Sequence, residues 1–233
     1  MPEARYRQFC PVAMAAEVVG TRWTLVLLRE LVAGSTRFND LRRGVPRMSP
    51  TLLAKRLREL EAAGIVQRAP VPAEPAHLAY ELTEAGRDLT PVVEAIGMWG
   101  QKWIETEASL ANLDPGLLMW DMRRNLPPSP MPARRSVVAF RYTDQPQTRR
   151  QWWLIVERGG EVDLCSIDPG FEVHIYVETD LRCMTEIWMG LTTTDAAVRD
   201  DRLTLIGDRH LAATMQQWLG LSPFAGQEKR ISR

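Results

Sequence analysis

Ser49, Thr51, Lys55 and Arg58 lie in one stretch, spaced so that a helix would set Thr51, Lys55 and Arg58 on a single face. Together they offer hydroxyl, ammonium and guanidinium donors, the groups that hydrogen-bond phosphate oxygens and the acceptor edges of bases. Arg37 and Arg47 flank the same stretch and add two cations suited to backbone phosphates. Catalytic groupings are scarce by comparison. His77, His174 and His210 belong to no H-E-x-x-H, nucleophile elbow or phosphate loop. Cys165, His174 and Cys183 are too widely spaced for the usual zinc motifs. The expectation is therefore no enzyme, no resident metal and no cofactor.

The whole chain has 29 basic and 29 acidic residues, so only local charge can indicate an anionic partner. Between residues 21 and 68 ten bases face four acids, an excess of six positive charges within a neutral protein. The 45% hydrophobic and 25% charged fractions are those of a soluble globular protein. No apolar run approaches the roughly 20 residues needed to cross a bilayer, and MPEARYRQFC lacks the apolar core of a signal peptide. Cys10, Cys165 and Cys183 are few and far apart, which suits reduced thiols. A cytoplasmic protein without a membrane partner is expected.

The elements needed to present the donors are legible. Residues 12–19 form a short apolar helix closed by Gly20; residues 21–31 read as a buried helix stopped by Gly34. Phe38 and Leu41 face inward from a short third helix, and a turn from Gly44 to Met48 follows. Ser49-Pro50 is an N-cap and first-position proline opening a helix to about Ala63, stopped by Gly64. On it Leu52, Leu53, Leu57 and Leu60 share one face, opposite Thr51, Lys55, Arg58 and Ala62. Arg56 falls among the leucines, so its head should pair with an acid such as Glu59. Strands at 65–68 and 78–82, joined by the proline-stiffened loop APVPAEPAH, complete a helix-turn-helix with a wing. The outward stripe is of a size to enter a major groove about 12 Å wide.

Cys10-Pro11 and the run VVGTRWTLVLLRELVAGSTRFNDLRRGVPRMSPTLLAKRLRELEAAGIVQR closely resemble the HxlR-type bacterial winged-helix regulators. The resemblance covers residues 10 to about 107. Its most specific parts are Gly20-Thr-Arg22-Trp23, the Arg37-Phe38-x-x-Leu41 stretch and Ser49-Pro50. It implies a homodimer acting on a pseudo-palindromic operator in double-stranded DNA. Leu89, Val92, Val93, Ile96, Trp99 and Trp103 follow the wing at helical spacing, with Pro91 either kinking that helix or restarting it. The stripe either supports dimerisation, as the resemblance implies, or packs on the back of the chain. Some relatives sense oxidants through a cysteine near the position of Cys10; here that thiol is either a redox switch or simply packed.

The second half changes character. LPPSPMPARR at 126–135 reads as linker, and the strand-like runs VVAFRY, WWLIVER, EVDLCSI and FEVHIYVE follow, with helical patterns at 181–191 and 211–219. Val173, Ile175 and Val177 should share one strand face, opposite His174 and Tyr176. Residues 136 to 224 resemble, more loosely than the front half, the sterol-carrier-protein type of lipid-binding domain. That resemblance implies an apolar small-molecule effector between sheet and helices, for which Trp152, Met184, Trp188 and Trp218 are candidate pocket residues; the alternatives are that they are only core, or that this half is a second dimerisation surface. The fold class expected is α+β: a winged-helix domain at 1–107, a linker with a short helix at 108–135 and a sterol-carrier-like domain at 136–233. A lipid carrier without DNA binding is the rival reading; it leaves the basic helix unexplained.

Overall fold

The computed structural model describes residues 6–71, 74–127, 131–132 and 134–230. The chain divides into two compact units, Met1–Gly97 and Met98–Arg233, so the boundary falls ten residues before the expected 107. Among the described residues no single helix is long and apolar enough to cross a membrane.

In the first unit α1 spans Pro11–Val19, α2 Thr24–Val32, α3 Phe38–Gly44 and α4 Pro50–Ala62. Ser49 caps α4 as its sequence predicts: its Oγ accepts the Leu52 amide at 3.2 Å, and Pro50 fills the first turn, where no amide partner is needed. Leu53, Leu57 and Leu60 bury completely or nearly so against Leu27, Leu28, Leu31 and Leu41. Each such leucine contributes about 1.5–3 kcal/mol of burial free energy, which fixes which face of α4 turns inward. Gly64, at φ +71°, ends the helix: its amide donates to the Glu61 carbonyl, and the Ile65 amide to that of Leu60.

The wing is longer than the sequence predicts. Strand β1 (Val66–Val71) pairs antiparallel with β2 (Glu74–Leu82), from Val66 opposite Leu82 to Pro70 opposite Leu78, with a register shift at Pro70/Val71. Both strands of a two-stranded ribbon are edges, where a proline is tolerated, so the prolines did not end the ladder. The expected hairpin tip lies partly outside the described residues. The Tyr80 amide donates to the Thr36 carbonyl at 2.8 Å, fastening the wing to the segment before α3. Helix α5 (Glu84–Arg87) is capped by Thr83, and α6 runs from Thr90 to Trp103. Pro91 thus sits in the first turn of α6 and restarts the helix rather than kinking it.

In the second unit the remaining elements are α7 (Thr106–Leu110), α8 (Pro115–Asn125), β3 (Ser136–Tyr142), β4 (Gln151–Val156), β5 (Val162–Cys165), β6 (Ile175–Thr179), α9 (Leu181–Trp188), α10 (Thr194–Arg199), β7 (Leu203–Gly207), α11 (Arg209–Ala213) and α12 (Met215–Leu219). The strands form one sheet in the order β5-β4-β3-β6-β7, with β3 and β6 parallel and the other pairs antiparallel. Val138, Phe140, Leu154, Ile175 and Val177 face a core shared with α8, α9, α11 and α12. Val137, Ala139, Trp153 and Ile155 form a smaller cluster on the opposite face. Burial on both faces explains the unbroken apolar run of β3.

The structure departs from the sequence pattern in three places. The helix placed in a 108–135 linker is α8, whose Leu118, Met119, Trp120 and Met122 are buried as part of the second unit; of the proline-rich stretch, residues 128–130 and 133 lie outside the described residues. Strand β6 begins only at Ile175, because Asp168-Pro169-Gly170 turns the chain, with Gly170 at φ +72°. Val173 therefore packs with the Val137–Ala139 cluster, not beside Ile175 and Val177. Strand β7 escapes the sequence pattern because Ile206, though apolar, is 56% exposed and spoils the alternation.

Candidate nucleic-acid interface

The geometry of α4 is set from beneath. Arg56, 9% exposed, lies on the buried side; its guanidinium pairs with Glu59, and its Nε donates to the Arg22 carbonyl at 3.3 Å. That bond pins α4 to the turn before α2, where Trp23 adopts a left-handed φ of +80° with the Arg22 guanidinium over its ring. The charge of Arg56 is thereby used inside the unit, as its place among the leucines implies.

A second fastener went unrecognised in the sequence. Glu30 is wholly buried on α2, ion-paired with Arg29 at 2.5 Å and accepting the Ser35 hydroxyl at 3.3 Å. Arg29 also donates to the Gly44 carbonyl at 2.8 Å, where α3 ends. These bonds set α3, and so the turn into α4, against α2. The available signal was Glu30 itself, a lone acid among Leu27, Leu28 and Leu31, since a charge on an apolar face must be paired.

Above this frame Arg37, Arg47, Ser49, Thr51, Lys55 and Arg58 are all exposed. Thr51, Lys55 and Arg58 line the outward face of α4; Arg47 stands in the turn before it, and Arg37 at the start of α3. The four acids of the basic segment are occupied locally: Glu30 by Arg29, Asp40 by Arg43, Glu59 by Lys55 and Arg56, and Glu61 by Arg68. The Glu61 hydrogen bond and charge hold the Arg68 pKa above its ordinary value. Lys55 reaches Glu59 at 3.6 Å, whereas Arg58 makes no ion pair among the described residues. The excess positive charge is thus presented outward, and Arg58 is its least compensated member on α4.

The other candidate residues fall elsewhere. Cys10 is a free, partly exposed thiol at the N-cap of α1. Met184, Trp188 and Trp218 come together in the core of the second unit at 2% exposure or less, with Trp152 packed against them. Their indoles are satisfied by protein: Trp188 by Asp121 at 2.9 Å, Trp218 by the Leu211 carbonyl at 2.7 Å and Trp152 by the Arg149 carbonyl at 2.9 Å. Among the described residues no group of three or more His, Cys, Asp or Glu side chains is placed to hold a metal ion.

A capped, basic second helix after a tight turn, followed by a two-stranded wing, defines a winged helix-turn-helix protein. The sequence model of the HxlR-like helix-turn-helix family matches residues 18–108. The HTH-type transcriptional regulator YvaP of Bacillus subtilis is 33% identical over 99 residues, which are 42% of this chain and 92% of that protein. The regulator Rv3095 of Mycobacterium tuberculosis is 44% identical over 95 residues, 40% of this chain and 58% of that one. Among solved structures, the reduced form of the transcriptional regulator YodB from B. subtilis is 33% identical with a TM-score of 0.35, over 40% of this chain and 93% of that one. The chain belongs to the HxlR-like helix-turn-helix family.

Proposed function

We propose that this chain is a transcriptional regulator that binds an operator in double-stranded DNA by laying α4 in the major groove. The observation that carries the reading is the outward Thr51–Lys55–Arg58 stripe on a helix whose other face is locked by leucines and by Arg56. In this reading Thr51, Lys55 and Arg58 contact base edges or adjacent phosphates, Ser49 caps the helix and touches phosphate, and Arg37 and Arg47 set the register on the backbone. The wing lies over a minor groove. A cytoplasmic location belongs to this reading and is supported by the free thiols of Cys10, Cys165 and Cys183.

The regulator acts as a homodimer. Support comes from apolar side chains that the first unit leaves exposed: Val12 and Met14 on α1 are 76% and 59% exposed, and Val92 and Ile96 on α6 are 44% and 45% exposed. Trp99 continues the α6 stripe. Two copies then place their α4 helices in successive major grooves, about 10 base pairs apart. A footprint on DNA upstream of the protein's own gene tests this: two half-sites at that spacing are expected, and no protection contradicts it.

The second unit is the proposed effector domain, of sterol-carrier type, taking an apolar ligand at Trp152, Met184, Trp188 and Trp218. A sheet covered on one face by amphipathic helices supports that reading. Because three of these residues are essentially inaccessible, the ligand enters only by displacing close-packed core. Redox control through Cys10 is the second reading, supported by its free, partly exposed thiol; loss of an oxidant response in Cys10→Ser would bear it out, and an unchanged response would end it.

A further inference from the structure

The two edges of the five-stranded sheet are built differently. At one edge β5 is blunted: Asp163 puts a charge into the strand, α8 packs along it, and Arg123 Nε donates to the Val162 carbonyl at 2.8 Å. At the other edge β7, Leu-Thr-Leu-Ile-Gly, carries neither a charge nor a proline. Among the described residues it pairs with β6 alone. Such an edge is a template for another strand.

The hydrogen bonds show which of its groups are free. The Thr143 amide donates to the Thr179 carbonyl at 2.9 Å, so Thr179, and by alternation Val177 and Ile175, turn their backbone groups toward β3. Tyr176 and Glu178 then face β7, where Ile206 and Thr204 lie opposite them. The Asp208 amide continues the pattern by donating to the His174 carbonyl at 2.8 Å. Leu205 and Gly207 therefore turn their groups outward. Both reach solvent, whereas Leu203 is buried beside α10. The free edge is Leu205–Gly207, with Ile206 at its centre. A groove of about 770 Å³ between α10 and α11 leaves room beside it, with Asp201, Leu205 and Arg209 in its lining.

The side chains indicate what fits this edge. Ile206, 56% exposed, lies opposite Tyr176, 51% exposed, so two apolar groups stand together at the rim of the outer face. Asp201 before β7 and Arg209 after it are exposed and make no ion pair among the described residues. A second copy of β7, laid antiparallel, complements each of these features. With the two-fold axis at Ile206, Leu205 of one copy exchanges backbone hydrogen bonds with Gly207 of the other. Ile206 then meets its own counterpart in a non-hydrogen-bonded pair, where side chains come closest, at a Cα separation of about 4.5 Å. Because the strands run in opposite directions, Asp201 of each copy comes to the end of the ribbon where Arg209 of the other stands. One surface thus complements itself, as a two-fold contact requires.

We propose that β7 is a homotypic interface, through which two copies join their sheets edge to edge about Ile206. It is separate from the α1 and α6 surfaces and stands without them. Ile206→Cys and Thr204→Cys each replace an exposed residue of this edge and leave Cys10, Cys165 and Cys183 in place, so each controls for the native thiols. In full-length protein treated with diamide, Ile206→Cys should give a covalent dimer at least about tenfold faster than Thr204→Cys. The thiols introduced at 206 face each other, whereas those at 204 are offset by four residues, about 13 Å along the strands and beyond the Cα limit of about 7 Å for a disulfide. Arg209→Glu, at the exposed first position of α11 where an acid suits the helix, should slow the Ile206→Cys reaction about threefold by setting two acids together. Equal rates for the two thiols, no covalent dimer, or a rate that Arg209→Glu leaves unchanged would each overturn the pairing. A parent that sediments as a dimer while the two thiols show no such selectivity loses the β7 contact and keeps the α6 one.

Discussion

The carboxylate of Glu30 occupies the space that a side chain on residue 44 would need. A Cβ placed on Gly44 would lie 1.8 Å from Glu30 Cδ and 1.9 and 2.4 Å from its carboxylate oxygens. Gly44 ends α3 without a left-handed φ, so it is required for room and not for conformational freedom. The reading of Gly44 as a turn residue is corrected accordingly. Gly44→Ala should destabilise the first unit by about 1–3 kcal/mol, the range for overpacking a close-packed interior. Adding Glu30→Ala should cost much less than its effect in the parent, because the two residues share one space. Denaturant unfolding of the two single variants and the double variant checks this; additive effects would show that the contact is not what requires the glycine.

The exposed stripe on α6 predicts the oligomeric state. Ile96→Glu with Trp99→Glu puts two charges into a surface that is 45% and 60% exposed at those residues, so neither change disturbs a core. Sedimentation of the parent at micromolar concentration should give a dimer and that of the variant a monomer. A parent that is already monomeric would remove the proposed interface.

Acid should loosen the second unit through Asp114. This residue caps α8, with Oδ1 accepting the Leu117 amide at 3.0 Å and Oδ2 paired with Arg149 at 2.7 Å. Burial alone would raise its pKa, but the Arg149 and Leu117 hydrogen bonds outweigh that and hold it below the ordinary carboxylate value. A depressed folded pKa contributes stability above the unfolded value of about 3.9, and that stability is lost as pH falls through the folded one. Asp114→Asn keeps the cap and removes the charge, so its melting temperature should fall less than the parent's between neutral pH and pH about 3. Parallel curves for the two proteins would refute the assignment.

Most of the first unit was legible because its signals are local. A Ser-Pro cap, a glycine stop and leucines at helical spacing each act within a few residues, and they placed α4 to within one residue of its observed end. Arg56 was also readable, since a charge at a core position must find a partner. What was hidden depends on contacts distant in sequence: the Glu30 carboxylate against Gly44, and the packing of α8 into the second unit. The start of β6 is not legible because alternation continues through Val173 while the chain has already turned at Gly170. The exposed stripe of α4 was foreseen as a set, but not the unequal standing of its cations, which follows from Glu59 lying one turn beyond Lys55.

That inequality gives the most direct test of α4 as the reading helix. Operator binding by the full-length protein should be measured at fixed salt for Lys55→Ala, Arg58→Ala and their combination. Arg58→Ala should weaken binding by about 1–3 kcal/mol, the range for a lost base contact. Lys55→Ala should weaken it less, because the parent must first give up the Glu59 pair. The double variant should retain only weak, strongly salt-dependent affinity. If it binds the operator as tightly as the parent while folding normally, α4 is not the element that reads DNA.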